Sequence, residues 1–125
     1  MNKKKHLSTL PKTWIFDLDG TLITHNGFKQ EKEEILCGVK EFFKENVKEE
    51  DYVIITTGRP TEHAEAAIKL LAENGIKVNN VISNLPLGER LLFNDIKPNT
   101  GLKTAFSFNL ERNGGLKDIK FIYDK

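Results

Sequence analysis

Short apolar runs alternate with helical patterning along this chain, and that alternation constrains its fold more than any other feature. Thr13 to Phe16 is β-branched and aromatic, reads as a buried strand, and is stopped by Gly20. Gln30 to Asn46 carries Ile35, Leu36, Val39, Phe42 and Phe43 at helical steps with Lys and Glu between them, which predicts a helix. Tyr52 to Thr56 is a continuous apolar run of the kind buried on both faces of a sheet. A second helix is expected from Thr61 to Asn74, with Gly75 placed to cap its C-terminus. Val78 to Ile82 and Arg90 to Phe93 read as the third and fourth strands. Strands alternating with helices imply an α/β fold, a Rossmann-like parallel sheet flanked by helices.

The pattern weakens elsewhere. Only "SNLPLGE" separates the third and fourth strands, too short for the usual helical crossover, so this unit is trimmed or rearranged. "TAFSFNL", Thr104 to Leu110, reads as a further strand, "ERNGG" as a loop, and Ile119 to Tyr123 as a final strand. Residues 1–11 are polar and read as a flexible lead-in. No repeat or linker divides the chain, so residues 1–125 are read as one domain.

Composition narrows the function classes. Lys and Arg total 19 against 18 Asp and Glu, so there is no general pull toward nucleic acid or membrane. The one cysteine, Cys37, excludes an intrachain disulfide and fits a reducing cytoplasm. It falls among apolar positions and reads as a small core residue. No apolar run approaches membrane-spanning length, and the N-terminus lacks a secretory pattern.

Chemistry concentrates where the strands end. Asp17 and Asp19 follow the first apolar run in "WIFDLDGTLIT", two residues apart. In extended chain such side chains share a face. Ligands of open parallel sheets bind beyond the carboxyl ends of the strands, where these residues fall. Two close carboxylates either raise one another's pKa or recruit a cation.

"DLDGTL" after an apolar strand resembles the first motif of the haloacid dehalogenase superfamily. "VIITTGRP" resembles its second motif, and "LLFNDIKP" sits where its acidic motif belongs. The resemblance covers residues 13 to 98 and implies a magnesium-dependent phosphatase. Asp17 would be the nucleophile that forms an aspartyl-phosphate. Asp19 would be the acid for the leaving oxygen and then the base for water. An Asp at that second position marks the family's phosphatases, whereas its ATPases carry Thr. Mg²⁺ would bind the Asp17 carboxylate, the Asp19 carbonyl and Asp95. Thr57 and the backbone after it, Gly58 included, would hold the phosphoryl oxygens, and Arg59 would reach substrate or form an ion pair on the next helix.

The chain departs from the family pattern in three places. The acidic motif reads Asn94-Asp95, with one acid instead of two. The family's lysine beside the nucleophile is missing where it often precedes a proline, since Leu85 stands before Pro86. Its charge is assigned to Lys97, which Pro98 biases toward an extended backbone on the same face as Asp95. Arg90 is the second choice and Lys103 the third. There is also no room for a cap domain in residues 22–29 or 58–80.

His6, His25 and His63 read as surface or loop residues, with His25 near enough to the first motif to touch substrate. Trp14 and the phenylalanines read as core. The substrate implied is a small phosphomonoester, a sugar phosphate first. One alternative is a degenerate domain that binds a phosphorylated ligand or partner without turnover. Another is a phosphatase for a nucleic-acid 3′-phosphate, which the balanced charge disfavours. An uncapped site would be closed to water by a second copy, so a homo-oligomer is expected.

Overall fold

The structure is a computed structural model that describes residues 3–25 and 33–124. Its elements run β1 (Lys3–Ser8), β2 (Thr13–Asp17), α1 (Val39–Asn46), β3 (Tyr52–Thr56), α2 (Thr61–Glu73), β4 (Asn80–Ile82) and β5 (Ile119–Asp124). β2, β3 and β4 form a parallel three-stranded sheet in that order, and β1 pairs with β5 in a separate parallel pair. The helices lie in the two crossovers, as the α/β reading expects. No described helix is long and apolar enough to cross a membrane.

The core joins strands, helices and the turn after β2. Phe16, Val53 and Ile55 from the strands pack with Val39, Phe42 and Phe43 of α1 and Ala67 and Leu71 of α2. Leu18, Leu22 and Ile23 of the turn are fully buried in the same cluster. Trp14 meets Phe42 edge-on at 5.6 Å and Phe121 of β5 at 5.8 Å, which ties the strand pair to the sheet.

A buried carboxylate fixes the far end of the sheet. Asp51 is 4% exposed and accepts from the Lys12 amide, the Trp14 indole Nε1 and the Lys48 amide, each at 2.9 Å. Burial works to raise its pKa, but the Lys48 amide, the Trp14 indole and the Lys12 amide outweigh it and hold the carboxyl below its usual range. A depressed pKa adds stability above the unfolded carboxylate range, and that stability is lost as pH falls through the folded value. Asp51→Ala is therefore expected to lower unfolding stability by roughly 2 kcal/mol at neutral pH. Urea titrations should show the deficit shrinking in acid; a deficit independent of pH would contradict this role.

Several expectations are corrected. The first helix begins at Val39, not Gln30, and residues 30–32 lie outside the described residues. Residues 33–36 instead run back along the turn after β2: the Thr24 amide bonds the Glu34 carbonyl at 3.0 Å, and the Leu36 amide bonds the Leu22 carbonyl at 2.9 Å. Gly38, at φ 79°, then turns the chain into α1. Cys37 is exposed in that turn instead of in the core. The polar lead-in contains β1, because a ladder needs backbone groups rather than apolar side chains.

Arg90 to Phe93 and Thr104 to Leu110 form no strand. Among the described residues neither segment has a neighbouring strand to pair with, and Phe93 is 87% exposed. Phe108 instead meets Phe121 edge-on at 5.8 Å.

The "ERNGG" loop docks on the turn after β2. The Asn113 amide donates to the Gly20 carbonyl at 2.8 Å, and the His25 amide donates to Asn113 Oδ1 at 2.8 Å. Leu116 donates its amide to the Cys37 carbonyl at 2.9 Å. A Cβ on Gly115 would lie 1.9 Å from the Cys37 oxygen, and one on Gly38 would lie 2.5 Å from the Lys117 nitrogen. Only glycine permits so close an approach of two backbones.

Candidate active site

β2 and β3 end side by side, with Asp17 opposite Thr56 in the ladder. The Asp51 contacts at the other end hold these strands in register, so the residues that follow them share one edge of the sheet. After β2 the chain closes a tight turn in which the amides of Thr21, Leu22 and Ile23 all point at the Leu18 carbonyl, at 3.3, 3.0 and 3.2 Å. The buried Leu18 and Leu22 side chains anchor this turn from below. Gly20 adopts φ 84° within it, a conformation that costs glycine little.

Asp17 is half-exposed and faces cationic and hydroxyl groups. Arg90 Nη2 stands 3.8 Å from Asp17 Oδ1, and the Thr21 hydroxyl donates to Oδ2 at 3.4 Å. Burial pushes the Asp17 carboxyl above its ordinary range. The Arg90 guanidinium and the Leu18 amide pull it back, the Asp19 carboxylate raises it further, and the Thr21 hydroxyl lowers it.

Asp19 is engaged by Arg59. Arg59 Nη2 donates to Asp19 Oδ1 at 2.6 Å, and Nε donates to Oδ2 at 2.9 Å. Nη2 also pairs with Glu33 Oε1 at 2.5 Å, while Nη1 donates to the His63 carbonyl at 2.9 Å. Sequence reasoning placed Arg59 on substrate or in an ion pair on the following helix. The pair instead runs back to the β2 turn, with only the His63 carbonyl coming from α2. Glu33 was not singled out, because nothing in its sequence position marks it as a partner of Arg59.

Thr57 is buried and its backbone is fixed: its amide donates to the Ile82 carbonyl at 2.9 Å, and its carbonyl accepts from the Leu85 amide at 3.1 Å. Its hydroxyl accepts the Arg59 amide at 3.0 Å, and the residue is 1% exposed. Gly58 follows, exposed, with its Cβ direction 3.4 Å from the Leu85 oxygen.

The later residues do not join this group. Asp95 lies in an exposed stretch where its carbonyl accepts the Thr104 hydroxyl at 2.9 Å. Lys97 sits in an exposed turn, bonding Leu102 and Gly101 through its backbone at 2.9 and 2.8 Å. Lys103 is exposed and bridges to Ile96. Of the three basic candidates, Arg90 is the one that stands by Asp17. The hard oxygens of Asp17 and the Asp19 turn suit Mg²⁺. The third expected donor, Asp95, is not brought to them, and no metal-binding group of three side chains forms among the described residues.

A family model described as haloacid dehalogenase-like hydrolase matches residues 14–95. The chain belongs to that family. No curated protein and no solved structure matches it. The match begins inside β2 and ends at Asp95, so it spans Asp17, Asp19, Thr57, Arg59 and Arg90 and stops short of Lys97. Among the described residues the β2-β3-β4 sheet has three strands, and no cap forms after β2 or β3.

Proposed function

We propose that this hydrolase is a phosphomonoesterase working through an aspartyl-phosphate on Asp17. The observation that carries the reading is the pairing of Asp17, at the end of β2, with the Arg90 guanidinium at 3.8 Å. A carboxylate nucleophile repels a phosphate dianion unless a cation stands beside both, and Arg90 supplies one. An Asp17 oxygen attacks phosphorus while Asp19 gives a proton to the departing alkoxide. Water then attacks the phosphoenzyme and passes a proton to Asp19, which frees phosphate and restores Asp17. The Thr57 hydroxyl and the Gly58 amide are the proposed donors to the phosphoryl oxygens.

The proposed substrate is a small phosphorylated metabolite, a sugar phosphate first, in a cytoplasmic setting. The near-neutral charge supports a small substrate over a nucleic-acid end. Arg90 beside Asp17 weighs against a binding-only domain, since it supplies the charge that the missing lysine left open.

Mg²⁺ is the proposed cofactor, with the Asp17 carboxylate and the Asp19 carbonyl as its ligands. Excess chelator is expected to abolish turnover. Calorimetry of Mg²⁺ binding to the wild-type protein provides a readout independent of turnover. Full activity in chelator would remove the metal from the mechanism.

The deciding experiment is a panel of p-nitrophenyl phosphate, sugar phosphates and a 3′-phosphorylated oligonucleotide, each with and without Mg²⁺. Metal-dependent release of phosphate from the small esters is expected. Binding without release on every ester would favour the non-catalytic reading.

A further inference from the structure

The side chain of Arg59 is 3% exposed, yet it stands at the strand end where phosphate is expected. Its Nε, Nη1 and Nη2 atoms each meet protein: both Asp19 oxygens, Glu33 Oε1 and the His63 carbonyl. A substrate oxygen would have to displace one of these charge-assisted contacts.

The geometry points to Arg59 as a positioning residue for Asp19, anchored from behind by Glu33, rather than a ligand of substrate. This rests on the phosphatase reading, and it deepens that reading by separating two arginines. Arg90, with a side chain 42% exposed, faces the nucleophile. Arg59, buried, faces the proton-transfer residue.

The planar fork of a guanidinium sets the plane of the carboxylate it grips, because Nε and Nη2 meet its two oxygens together. Asp19 must nevertheless turn toward the leaving oxygen and later toward water. Glu33 and the His63 carbonyl hold Arg59 through that movement, so the guanidinium stays in place and Asp19 returns to one orientation. Without Glu33, a buried arginine whose partner turns away would be left poorly paired, which is costly. Glu33 lies beside the turn after β2, while Arg59 lies in the loop after β3. The clamp therefore joins the two strand ends that carry the chemistry.

A substrate ligand and a positioning residue leave different kinetic signatures. The proton from Asp19 matters for an alkyl phosphate such as glycerol phosphate, whose alkoxide is a poor leaving group. It matters little for p-nitrophenyl phosphate. Comparing kcat/KM on these two esters isolates the first chemical step.

Arg59→Ala is expected to lower the alkyl-to-aryl ratio of kcat/KM about a hundredfold. KM for p-nitrophenyl phosphate should stay within about twofold of wild type, as lost positioning leaves binding intact. Arg59→Lys should recover part of the ratio, since it restores the charge without the fork. Glu33→Gln, which keeps the volume and a polar contact, should lower the ratio several-fold.

If Arg59→Ala does not fold, Arg59→Lys and Glu33→Gln carry the same comparison. An equal loss on both esters with a raised KM would make Arg59 a substrate ligand and overturn the inference. An unchanged ratio in all three variants would overturn it as well. A wild type inactive on both esters would overturn the phosphatase reading and this inference with it, whereas an active wild type with unselective variants would overturn this inference alone.

Discussion

Asp17→Asn is expected to abolish turnover, with a loss on the order of a millionfold if it behaves as other nucleophile replacements do. The amide matches the carboxylate in shape but cannot form the acyl phosphate. The same substitution should leave the protein at least as stable as wild type at neutral pH. Burial holds the Asp17 carboxyl above its ordinary range. A raised carboxyl pKa means that stability falls as pH rises through it, and a neutral side chain escapes that cost. Thermal unfolding beside the kinetic assay separates lost chemistry from lost structure. Full turnover in a well-folded Asp17→Asn protein would end the aspartyl-phosphate mechanism.

The second large effect is expected at Arg90. Arg90→Ala should reduce turnover about a hundredfold, the scale of removing one contact that stabilises transition-state charge. Its effect on stability should be small, because the pair with Asp17 is partly exposed and spans 3.8 Å. Lys97→Ala should remain close to wild type, since Lys97 sits in an exposed turn. Steady-state assays of the two variants side by side are sufficient. If Lys97→Ala loses activity and Arg90→Ala keeps it, the cation comes from beyond Asp95 and the 90–97 stretch rearranges in the working enzyme.

Local pattern sufficed for some elements. β3 was expected at Tyr52 to Thr56 and is found there, because an apolar β-branched run between polar residues has few other options. α2 was legible because Gly75 terminates a clear helical repeat. α1 was overextended because Ile35 and Leu36 keep the helical spacing while packing against the core from a non-helical stretch. Periodicity reports which side chains are covered, and two backbone shapes can cover the same ones. Leu91 to Phe93 reads as a strand on composition, but a strand exists only with a partner, and composition does not name one.

The site divides along the same line. The placement of Asp17, Asp19 and Thr57 at the ends of β2 and β3 was legible because each lies in or just after its own apolar run. The contacts of Arg59 were not, because Asp19 and Glu33 reach it across long stretches of chain. An arginine just after a strand looks the same in sequence whether it points at substrate or at a neighbouring carboxylate. Asp51 was missed for a similar reason: its three partners include two backbone amides, which leave no trace in residue type.

The paired glycines have a consequence for how variation in this chain can be interpreted. Gly38 and Gly115 lock distant stretches together main chain to main chain, with no side chain to delete. Alanine scanning is built to find side-chain contributions by truncation, and here alanine adds the obstructing atom. A scan would therefore flag two surface loops as sensitive and suggest a binding epitope where there is only a fitted seam. Any side chain at either glycine must also contend with φ near +75° to +79°, so no choice of residue relieves both problems. Prying this seam open would carry Asn113 away from Gly20 and His25. Damage scored at residue 115 would then be felt in the turn that carries Asp19.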